Sequence, residues 1–101
     1  MDFHKTQENG DATSNYKVIT SAQTVREFIY EVIEHMQKHN EWGSVFVSTP
    51  ESPWHAKLIT YSHLKVDFLS DYNRYCKKHI ERIWANDGWG AMTYFITCKE
   101  E

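Results

Sequence analysis

The sequence predicts a small α+β domain: an antiparallel sheet of three or four strands with two amphipathic helices packed on one face. Three observations predict it. Val25, Phe28, Ile29, Val32, Ile33 and Met36 recur at the 3.6-residue spacing of a helix with one apolar stripe. Phe68, Leu69, Tyr72, Cys76, His79, Ile80 and Ile83 repeat that spacing on an arc of roughly 120°. Short β-branched and aromatic runs, one of them alternating from Met92 to Cys98, lie outside these two stretches.

Taken along the chain, residues 1–15 are rich in Gly, Asn, Asp, Ser, Thr and Gln and read as a disordered tail, because they offer too little apolar surface to offset the cost of ordering. Residues 16–101 form one domain. Tyr16 to Thr20 is a short first strand or an extended lead-in. The first helix is expected over residues 22–40, with Thr20 and Gln23 as a capping box and Asn40 and Gly43 as stop signals. Gly43 to Thr49 reads as a strand closed by Pro50 and Pro53, and His55 to Ser62 as its antiparallel partner. The second helix is expected from about Asp67 to Ala85, ended by Asn86-Asp87-Gly88, with Met92 to Cys98 as the last strand. If the first strand forms, the order βαββαβ matches the ferredoxin-like arrangement.

A chain of 101 residues is the size of one domain, and 41% apolar with 15% aromatic residues supplies a core. No apolar run exceeds three residues, so a membrane-spanning helix is excluded. The polar start does not read as a secretory signal, which makes the cytoplasm the expected compartment. Cys76 and Cys98 are expected as reduced, small hydrophobes rather than a disulfide framework. The net charge of −3 argues against a protein that holds nucleic acid by its overall charge, while leaving room for a local basic patch.

Four groups of residues could carry chemistry. Glu31, His35 and His39 recur every four residues, a carboxylate and two imidazoles along one side of a helix, where a divalent metal could bind; a solvated helix border is the preferred explanation, and no metal or cofactor is expected. Cys76 and His79 are three apart, but an apolar arc makes a thiol inert. Arg74, Lys77, Lys78 and Arg82 interleave with Tyr72 and Tyr75, the charge-plus-aromatic pattern of a nucleic-acid surface; it is also the pattern that complements a helix dipole. Trp42, Trp54, Trp84 and Trp89 are many for this length, and three flank expected turns, where exposed rings serve as binding anchors or simply cap a small core. No zincin, phosphate-loop, nucleophile-elbow or zinc-knuckle motif is present.

The expected function is therefore a non-enzymatic protein-interaction or self-association module, with homodimerisation through unpaired sheet edges. The alternative is nucleic-acid binding by the basic side of the second helix, and the third reading is a small metal-dependent enzyme.

Overall fold

In a computed structural model, which describes residues 3–7, 15–63, 65–88 and 91–100, the chain forms one seven-stranded sheet and two helices. The elements are β1 (His4–Gln7), β2 (Asn15–Ile19), α1 (Val25–His39), β3 (Gly43–Ser48), β4 (Ala56–Ser62), β5 (Lys65–Phe68), α2 (Ser70–Tyr75), β6 (Ile80–Asn86) and β7 (Met92–Cys98). Across the sheet the order is β1-β2-β6-β7-β3-β4-β5. Every neighbouring pair is antiparallel except the central β7–β3 pair, which is parallel. α1 is thus a crossover that carries the chain from β2 past β6 and β7 to β3.

α1 begins at Thr24, whose hydroxyl accepts the Glu27 N–H while the Glu27 carboxylate accepts the Thr24 N–H, a reciprocal capping box. The other first-turn donors are met from elsewhere in the fold. Val25 N–H reaches the Lys78 carbonyl at 3.0 Å and Arg26 N–H the Cys76 carbonyl at 2.8 Å, both in the turn after α2. All four N–H groups that a helix start leaves without partners, those of Thr24, Val25, Arg26 and Glu27, are so satisfied, and Phe28 N–H to Thr24 O is the first bond within the helix. Asn40 ends the helix in the left-handed conformation. Val25, Phe28, Ile29, Val32 and Met36 are buried against Val45, Ile59, Tyr61, Ala85, Tyr94 and Ile96 of the sheet.

Four expectations need correction. The sheet has seven strands rather than three or four, and it is mixed, neither a small antiparallel sheet with two covering helices nor a ferredoxin-like βαββαβ unit. The front strand exists as β2, and His4–Gln7, inside the stretch expected as a tail, pairs with it as β1. The capping box lies four residues beyond Thr20, at Thr24.

The expected second helix is the largest departure. Only Ser70–Tyr75 is helical, and Ile80–Asn86 is a strand paired on β7. A bulge explains the misleading spacing. Ile80 opposes Cys98 and Ile83 opposes Ile96, so two apolar residues three apart on β6 sit over residues two apart on β7. The extra residue lets a strand imitate helical periodicity. The β-branched and aromatic content of Ile80 to Trp84 favours the strand, and the ladder with β7 stabilises it.

The sheet therefore has a helix face and an open face. On β7 the residues Met92, Tyr94, Ile96 and Cys98 are buried beneath α1, while Thr93, Phe95 and Thr97 on the other side are half-buried. β3 alternates the same way, with Gly43, Val45 and Val47 inward and Ser44, Phe46 and Ser48 outward. Gly43 is required by a close approach, since a Cβ there would stand 2.0 Å from the Met92 carbonyl oxygen and 3.0 Å from the Met36 methyl. Gly43→Ala is expected to destabilise the protein by about 2–3 kcal/mol through overpacking, read as a lower urea midpoint at unchanged slope; an unchanged midpoint would show that the β3–β7 spacing is not set by this contact.

A candidate interface on the open sheet face

Register brings one row of side chains together across the open face. Lys17 opposes Trp84, Trp84 opposes Phe95, Phe95 opposes Phe46, and Phe46 opposes Lys57. The three rings lie side by side and nearly parallel, with centroids 5.2 Å apart and 14° between planes for Trp84 and Phe95, and 5.8 Å and 25° for Phe95 and Phe46. They come from three adjacent strands, which fixes them more firmly than a loop would. The ring of His55, arriving from the loop before β4, leans on Phe95 at 4.9 Å and meets Trp84 edge-on at 6.3 Å. Arg82, two residues before Trp84 and on the same face, places its guanidinium 5.2 Å from the Trp84 ring, a cation–π contact.

Charge is segregated between the two sides. By register the open face carries Lys17, Lys57, Lys65 and Arg82 against Asp67 and, in the bulge beside Arg82, Glu81. Glu27, Glu31 and Glu34 lie on α1, across the sheet. A chain of net charge −3 thus presents a positive face with an aromatic centre and a border of Ser44, Ser48, Thr60, Thr93 and Thr97.

The residues expected from sequence divide sharply. Trp84 and Arg82 are in this row. Trp42 is half exposed at the end of α1, its ring 4.7 Å from His63, and Trp54 stands almost fully exposed beside His55. Trp89 lies outside the described residues. The basic set does not form one helix side: Arg74 is on α2 over the Tyr75 ring, Lys77 and Lys78 are in the following turn, and Lys78 pairs with Glu51 at 3.8 Å. Phe46, Phe95, Lys17, Lys57 and His55 were missed. Their only sequence signal is that each strand residue alternates with buried neighbours; that they share a row depends on register, which short strands do not display.

A second gathering of polar groups lies on the helix face. Glu41 receives the Lys5 ammonium at 2.6 Å and the Tyr94 hydroxyl, while Lys5 also donates to Tyr94 at 2.8 Å. Burial, and then the bond to Glu41, push the Tyr94 hydroxyl far above its ordinary pKa, so it stays a donor. Phe3 packs against Phe28, His35 and Tyr94 beside this group. The group tethers β1 to the core.

The same cluster reassigns the metal candidates. Glu31 accepts the Thr20 hydroxyl, His35 turns to Glu41 at 3.7 Å, and the His39 ring packs at a tilt against His35, centroids 4.4 Å apart. Among the described residues no three His, Cys, Asp or Glu side chains are placed to hold a metal ion. His79 is exposed rather than on a core arc, bridging Thr24, and the Cys76 thiol lies against the Asn73 carbonyl. Among the described residues no helix is long and apolar enough to cross a membrane.

Burial, and next the charge of Lys5, hold the His35 pKa below its ordinary value, with Glu41 opposing and His39 reinforcing the shift. The folded state therefore binds the proton less tightly than the unfolded chain, whose imidazole titrates near pH ~6.5. The contribution of His35 is fully present above that pH and is lost as pH falls below it and through the lower folded value. The urea midpoint is expected to drop between pH 7 and pH 5 more steeply than in His35→Gln; parallel profiles would contradict the shift. Comparison of the chain with protein-family models, with curated proteins and with solved structures finds no match.

Proposed function

We propose that the protein is a non-enzymatic binding module that takes single-stranded nucleic acid on its open sheet face. The observation that carries this reading is the row Lys17, Trp84, Phe95, Phe46, Lys57, three near-parallel rings closed at each end by a lysine. Bases have flat π-faces that stack on aromatic side chains, and phosphates need cations at the borders of such a platform. Arg82 adds a planar cation against Trp84, and the flanking Ser and Thr hydroxyls can both donate and accept hydrogen bonds. This locates the interaction on the sheet instead of on a second helix.

The reading has quantitative consequences. With Lys17, Lys57 and Arg82 each neutralising a phosphate, affinity for a short oligonucleotide should fall with salt at a log–log slope of about −2. Trp84→Ala or Phe95→Ala should each weaken binding about tenfold, the loss of one stacked base. Arg74→Ala and Lys77→Ala, away from the row, should leave it unchanged. Fluorescence anisotropy with mixed-sequence single-stranded DNA and RNA measures all of these, with circular dichroism to confirm that the variants fold. Absence of binding to both at low salt, or binding indifferent to the ring substitutions, would overturn the proposal.

A further inference from the structure

We infer that the outer edge of β5 is a self-complementary surface that pairs with β5 of a second copy of this chain, joining two sheets edge to edge. β5 is the last strand in the sheet order, so its outer side has no strand partner among the described residues. Leu69 N–H donates to the Leu58 carbonyl at 2.8 Å, continuing the β4–β5 ladder. Inward and outward backbone groups alternate along an antiparallel strand, so Lys65 and Asp67 direct theirs to β4 and Val66 directs its N–H and C=O outward. A two-fold axis through Val66 then gives a reciprocal pair of hydrogen bonds between the two Val66 residues.

That axis also decides which side chains meet. It sets Lys65 opposite the partner's Asp67 and Asp67 opposite the partner's Lys65, on the open face and with opposite charge in both places. Within one chain these two side chains are only 3.9 Å apart yet 77% and 58% exposed, so each remains free to turn to a neighbour. An isologous contact needs such self-complementarity, because every residue meets its counterpart set twice. The other edge lacks it: on β1, Lys5 is already committed to Glu41, and His4 and Thr6 bring no acid to the open side.

A second observation lies at the same edge on the helix face. Tyr30 and Phe68 are each about half exposed, and with Leu69, Ser70, Tyr72 and Asn73 they line an open groove. A copy that extends the sheet at β5 stands beside this apolar surface and shields it from water. Four residues of edge and one small patch support a weak, reversible dimer rather than an obligate one. This inference does not depend on the proposed nucleic-acid function.

Sedimentation equilibrium of the full chain from micromolar to millimolar concentration tests it. A monomer–dimer equilibrium is expected. Lys65→Glu alone, or Asp67→Lys alone, sets like charges opposite each other at two places and should raise the dissociation constant about tenfold or more. Carrying both substitutions together restores opposite charges and should restore the dimer. A chain that stays monomeric at millimolar concentration overturns the inference, as does a dimer that ignores both single charge changes or is not rescued by the double one.

Discussion

One fifteen-residue helix, with only the short α2 beside it over β4, covers a sheet of seven strands. Its apolar stripe, from Val25 to Met36, is wide enough for one face only, and it is laid over the central strands β7 and β3. Everything else in the fold follows from holding α1 there. Two carbonyls in the turn after α2 accept N–H groups of the helix start, Gly43 lets β3 approach Met92 and Met36, and the chain ahead of α1 is fastened by Lys5 to Glu41 just beyond the helix end. The side of the sheet that α1 cannot reach is left with rings, hydroxyls and cations.

The elements with a single, unopposed periodicity were legible. α1 shows 3.6-residue spacing over its whole length, and β3, β4 and β7 are short, β-branched and bounded by Gly, Pro or turns, so their positions in the sequence and in the structure agree closely. β6 was not legible, because the bulge after Ile80 inserts one residue and makes a strand mimic helical spacing. β1 was hidden for a different reason. His4–Gln7 has no apolar pattern of its own, and its pairing draws on a lysine whose partners Glu41 and Tyr94 are 36 and 89 residues away.

The open face shows how far residue types alone reach. Trp84 and Arg82 were singled out as an exposed ring and a cation, and they do lie together, but on a strand rather than a helix. Lys17 and Lys57 carry no motif; they become the ends of a row only when β2 and β4 are set in register two strands to either side of Phe95. The histidines of α1 show the converse. Their four-residue spacing is real, yet His35 turns to Glu41, outside the helix, and Glu31 accepts the Thr20 hydroxyl, so the apparent triad is divided between two unrelated partners.

Adjacent strands of a sheet turn relative to one another, and the three rings ride on three such strands, with 14° and then 25° between their planes. The bulges in the β6–β7 and β3–β4 pairs, one on each side of the central parallel pair, tighten that twist locally. The rings are therefore steps of a shallow spiral stair and not tiles on a floor. A stiff, straight duplex resting on such a surface touches one step and bridges over the others. In the proposed binding mode, a polymer with a freely turning backbone can rotate between units and set one flat group on each step, so the curvature of the sheet would favour a flexible ligand.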